Sequence, residues 1–115
     1  MIENFEKETA PLTEDEMLIA NRIACRIRLN VGEEKAVTSL SIIGAMKNQG
    51  YSLDGARLRK IINYIRRNRL VVNLVATSKG YYVENNPAKL ETYINSLMQR
   101  ANAIKEVAES YAIHG

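Results

Sequence analysis

The chain has 115 residues, 46% apolar and 25% charged, with a formal net charge of +3. That is one globular domain's worth of chain, able to bury a core without disulfides or metal. One cysteine, Cys25, and one histidine, His114, exclude an intrachain disulfide and any Cys/His zinc cluster built from a single chain. A Ser-His-Asp triad or Cys-His pair would have to use a histidine one residue from the end. No apolar run approaches the ~20 residues of a membrane span. Met1 to Ala10 is acidic and polar, unlike a secretory signal. The expected compartment is the cytoplasm, and no cofactor is expected.

The charge is unevenly placed. Residues 1–16 carry a net −5, residues 17–56 +2, residues 57–80 +7 and residues 81–115 −1. The central block holds Arg57, Arg59, Lys60, Arg66, Arg67, Arg69 and Lys79 without one acid. Cations without counter-charges point to a polyanion site rather than a solvated helix face.

In chain order, residues 1–12 lack periodicity and read as a flexible acidic leader. Thr13-Glu14-Asp15-Glu16 is a capping box: hydroxyl and carboxylate each satisfy a free amide of the first turn. Leu18, Ala20, Ile23, Ala24, Ile27 and Val31 then predict a helix over about 14–30, ended by Gly32. Cys25, among these apolar residues, reads as a small core residue. Ala36-Val37 is a short extended piece. Thr38 or Ser39 starts a second helix with Leu40, Ile43 and Met46 as its apolar residues, stopped at Asn48-Gln49-Gly50. Asp54 caps a third helix to about Asn68.

That third helix is the clearest segment. Leu58, Ile61, Ile62 and Ile65, with Leu53, point one way; Ala56, Arg59, Lys60, Asn63 and Arg67 gather opposite. Tyr64 is expected at the rim of the core. Leu70 to Ala76 and Tyr81-Tyr82-Val83 read as a β-hairpin with Lys79 at its tip. Gly80 fits the left-handed position of a three-residue loop with a bulge. Of the two tyrosines, one is expected to pack inward while the other is available to nucleic acid. Asn86-Pro87 opens a fourth helix to about residue 112. Its Leu90, Ile94, Leu97, Ala101, Ile104, Ala108 and Tyr111 alternate steps of four and three, a heptad seam. The seam can pack within the chain or face a second copy. The core is nearly complete by residue 84, so a homodimer is the expectation.

Three helices and a hairpin, the third helix basic, make the chain resemble the winged helix-turn-helix superfamily over about residues 13–84. The likeness rests on Thr38-Ser39-Leu40, on Gly50-Tyr51-Ser52-Leu53-Asp54 as the turn, and on Arg57 to Ile65 as recognition helix. Ala76-Thr77-Ser78-Lys79-Gly80-Tyr81-Tyr82-Val83 supplies the wing. The last two stretches also resemble small winged-helix proteins of phages and prophages. The fold implied is mainly α with a small β-hairpin (α+β), a winged-helix domain over 13–84 followed by a long C-terminal helix over 85–115.

The resemblance implies a helix in the major groove of double-stranded DNA and a wing on the backbone. Carried onto this chain, Ala56, Arg59, Lys60 and Asn63 are the base-contact candidates; arginine matches the guanine edge and asparagine the adenine edge. Arg57, Arg66, Arg67, Arg69, Ser78 and Lys79 are the phosphate candidates, which fix register without reading sequence. Ser78 and Lys79 equally suit a plain turn. The expected function is a non-enzymatic regulator of transcription or replication, of phage or mobile-element type. The alternative is an adaptor whose basic face docks an acidic protein partner. An enzyme is not expected, because the acids outside the leader form no pair or metal cage with the basic face. The aromatic platform of common single-strand RNA readers is not visible either.

Overall fold

The computed structural model describes residues 11–114, with side chains described through Tyr111. The elements run α1 (Glu14–Ile27), a 3₁₀ turn (Glu33–Lys35), α2 (Ser39–Asn48), α3 (Gly55–Arg67), β1 (Leu74–Thr77), β2 (Gly80–Val83) and α4 (Pro87–His114). This is a mainly helical α+β chain with one antiparallel hairpin. It divides into two compact units, Met1–Glu84 and Asn85–Gly115. Among the described residues, no helix is long and apolar enough to cross a membrane. Residues 1–10 of the predicted leader lie outside the described residues. Leu12, also assigned to that leader, packs against the core instead.

Local chemistry starts each helix where the sequence places it. The Thr13 hydroxyl accepts from the Glu16 amide at 3.1 Å, and the Glu16 carboxylate accepts from the Thr13 amide at 3.0 Å. Thr38 caps α2 through the Ser41 amide at 3.1 Å, and Asp54 caps α3 through the Arg57 amide at 2.8 Å. Each such cap stabilises its helix by about 1 kcal/mol. In α4 the Asn86 side chain accepts from the amides of Ala88 and Lys89. Pro87, with no amide hydrogen to satisfy, occupies the helix's first position.

The buried rows differ in part from the expected ones. In α1 the rows are Ile19, Ile23, Ile27 and Ala20, Ala24. Leu18 shares a row with Arg22 and Arg26 and is 58% exposed. Cys25 lies one step beyond the buried rows and is exposed, so it is not a core residue. In α2 the buried pair is Ile42 and Met46, four apart, with Ile43 half-buried; Leu40 is exposed. Leu58, Ile61, Ile62 and Ile65 of α3 are all buried as the periodicity predicts, and Tyr64 and Leu53 pack at the edge of the same core.

Two helix ends turn on left-handed residues. At the end of α2, Gly50 (φ 91°) donates to Lys47 O at 3.0 Å and Tyr51 to Met46 O at 2.9 Å. At the end of α3 the same pair of bonds runs from Arg69 to Arg66 O and from Leu70 to Ile65 O. Here the left-handed residue is Arg69, at φ 55°, where glycine is the unstrained choice. This motif and a second left-handed residue, Asn73 (φ 62°), occupy the segment expected to be strand. The Arg28 guanidinium also takes the Leu70 carbonyl at 2.9 and 2.5 Å. The first strand therefore begins at Leu74, not Leu70.

In the hairpin, Leu74 pairs with Val83 and Thr77 with Gly80, leaving Ser78 and Lys79 as the connection. The loop is thus one residue shorter than expected. The other edge of β2 is bridged by the chain between α1 and α2, Val31 to Val83 and Val37 to Tyr81. That pairing explains why α1 stops at Ile27. Val83 donates to Asn30 O and Gly32 donates to Val83 O, so residues 30–32 cannot also be helical. It explains Gly80 too: a Cβ there would stand 2.3 Å from the Val37 carbonyl oxygen.

Candidate nucleic-acid interface

α3 carries the cationic block on a helix anchored along one side. With its buried arc against the core, Arg59, Asn63 and Arg67 are exposed at i, i+4 and i+8. At 1.5 Å per residue this row is about 12 Å long. Lys60 and Arg66 flank it, both half-buried. Asn68 closes the helix by donating its side-chain amide to Tyr64 O at 2.9 Å. Arg69 is exposed just beyond, held in its left-handed turn.

Two expected contact residues are withdrawn by their surroundings. Ala56 is 6% exposed: the wheel puts it on the polar side, but its single methyl does not clear the surface around it. It belongs with the buried residues, not with a base-reading set. Arg57 faces inward toward α1. Its Nε donates to Glu16 Oε2 at 2.7 Å, one Nη to Glu16 Oε1, and the same Nη to Pro11 O at 3.1 Å. Both side chains of the pair are nearly covered, 15% and 11% exposed. The Arg57 hydrogen bonds hold the Glu16 carboxyl below the ordinary glutamate value, and Glu16 raises Arg57 in return. A guanidinium committed in this way fastens α3 to the capped start of α1 and is not offered to phosphate.

Ser78 and Lys79 are exposed at the hairpin tip. The Lys79 ammonium lies 3.1 Å from Glu33, with both side chains more than half exposed. A pair this open contributes at most about 1 kcal/mol, so a stronger anion can displace Glu33. Of the hairpin tyrosines, Tyr82 is the buried one and Tyr81 is half-buried. Tyr81 packs against the core, and Tyr82 is 5% exposed, its burial pushing the phenol upward.

Two cations outside the block have structural partners. Arg22 stacks over Tyr51 at 5.6 Å and donates to Gln49 at 3.2 Å, while Arg28 holds the Leu70 carbonyl. The Glu16–Arg57 pair spans 41 positions, and no local motif announces it. What remains on α3 and its exit is a set of exposed arginines around an asparagine, with Lys60 and Arg66 half-buried beside it. It can donate pairwise to base edges and singly to phosphates. No protein-family model, curated protein or solved structure matches this chain.

Proposed function

We propose that the chain is a non-enzymatic winged helix-turn-helix protein that binds double-stranded DNA and regulates transcription or replication. α3 would enter the major groove, with Arg59 and Asn63 on base edges and Lys60 beside them. Arg66, Arg67, Arg69 and Lys79 would hold phosphates, Ser78 adding a hydroxyl. The observation that carries this proposal is the exposed Arg59–Asn63–Arg67 row, on a helix that follows a helix and a tight turn. The hairpin supports it, because its tip carries Lys79 and its β2 edge is closed by the 31–37 segment.

The test is selection of bound duplexes from a random pool, read by sequencing. The wild-type chain is expected to enrich one motif. Arg59→Ala and Asn63→Ala are expected to relax single positions of it, at about 1–3 kcal/mol per lost bidentate contact. Affinity is expected to fall steeply with salt, as bound counterions are released. Absence of enrichment, or variants that select the same motif equally well, would overturn the assignment. The basic face would then be sought as a dock for an acidic protein.

A further inference from the structure

We infer that α4 is a self-association surface, and that its partner is α4 of a second copy of this chain, running antiparallel. This stands on α4 alone and does not depend on the DNA proposal. The seam from Leu90 to Tyr111 spans three heptads, a length at which knobs-into-holes pairing is sustained. Three of its five large side chains are open to water: Ile94 is 48% exposed, Ile104 71% and Tyr111 76%, while Leu90 and Leu97 are half-buried. Met98 and Val107, which flank the seam, are 59% and 56% exposed. These side chains lie along one helix, and a stripe of that kind marks an association site.

Size and charge together select the partner and its direction. In a parallel, in-register pair each residue meets itself. Ala101 and Ala108 would then face alanine, leaving two thin layers beside the wide layers of Leu97 and Ile104. Close packing tolerates such voids poorly. The flanking Arg100 would also oppose Lys105 of the second copy, on both sides of the seam.

Antiparallel pairing removes both faults. With Ile94 set against Ile104 of the second copy, Leu97 meets Ala101 and Leu90 meets Ala108, so no layer is alanine on alanine. At the flanks Glu91 opposes Lys105 twice, Tyr93 opposes Val107 twice, and Met98 meets Met98 of the second copy. The one like-charge contact left is Arg100 with itself at the two-fold axis. Opposite charges at flanking positions are the usual determinant of orientation.

The experiment measures the mass of the full chain by light scattering or sedimentation across a concentration series. A two-chain mass is expected. Ile104→Lys, at an exposed position that cannot unfold the core, is expected to return it to one chain. Lys105→Glu separates the two directions. Antiparallel pairing turns two attractions into two repulsions and weakens the dimer on the order of tenfold. Parallel pairing would instead gain an Arg100–Glu attraction on each side and tighten. Adding Glu91→Lys to Lys105→Glu is expected to restore the wild-type affinity. In a Cys25→Ser background, Met98→Cys is expected to cross-link two chains on oxidation. A one-chain mass at the highest concentration, a dimer indifferent to Ile104→Lys, or a dimer tightened by Lys105→Glu would each overturn the inference.

Discussion

In α3, Leu58, Ile61, Ile62 and Ile65 are at most 1% exposed; in α4, Ile104 and Tyr111 are at least 71% exposed. Both helices carry apolar residues at helical spacing, and both have charged residues outside the stripe. The difference lies in what stands opposite. α3 meets α1 and α2 across a core that the hairpin closes below, and its apolar arc is fully used. Ile94, Ile104 and Tyr111 of the α4 seam stand open to water instead. Periodicity states that a stripe calls for cover. It does not state which surface supplies it.

The largest expected effect tests that contrast directly. Ile61→Ala removes a fully buried side chain and is expected to destabilise the Met1–Glu84 unit by about 4 kcal/mol. Ile104→Ala, at a concentration where single chains dominate, is expected to shift stability by less than about 0.5 kcal/mol. Denaturant unfolding of both variants makes the comparison. Equal losses would show that α4 is covered within its own chain.

A smaller effect comes from the bond that fixes α3 to α1. Glu16→Gln removes a charge-assisted pair and is expected to cost about 2 kcal/mol at neutral pH. The sign with pH follows from the lowered Glu16 carboxyl. Its stabilisation is complete above the ordinary value of 4.5 and is lost as pH falls through the lower folded value. The wild-type chain is therefore expected to lose more stability than Glu16→Gln does as pH falls from 4.5 through that lower value. Parallel pH profiles for the two proteins would remove the pair from the account of how α3 is held.

The smallest effect is expected to carry the opposite sign. Arg69 adopts a left-handed conformation that costs a non-glycine residue on the order of 1 kcal/mol. Arg69→Gly is expected to stabilise the fold by up to about that amount. On DNA the same change should weaken binding to all sequences alike and lower the salt slope by about one. A gain in stability with unchanged DNA affinity would show that Arg69 serves the turn alone.

Much of the fold can be read along the chain, because its signals act within four residues. Thr13 with Glu16, Thr38, Asp54 and Asn86-Pro87 start helices through bonds to their own first turns. The α3 arc was legible because Leu58, Ile61, Ile62 and Ile65 share one side of a short helix. The exposed row of Arg59, Asn63 and Arg67 follows as its complement. The pattern is ambiguous where a distant segment decides. Leu18 and Ile19 are adjacent apolar residues, and only the direction of the core chose Ile19. Leu40 and Ile42 divide in the same way.

The candidate site shows the same boundary. Composition and spacing placed the cations on α3 and at the hairpin tip, since charge and helical period are properties of the local chain. Which cations are offered outward is set by contacts between residues dozens of positions apart. Arg57 is drawn inward by Glu16 across 41 positions, and the Leu70 carbonyl is claimed by Arg28 across 42. Val31 leaves α1 because Val83 pairs with it, and Gly80 is required because Val37 passes too close for a Cβ. A hydrogen bond between neighbours in sequence needs only the backbone to turn. A bond between distant residues exists only after the chain has folded, so no local pattern records it.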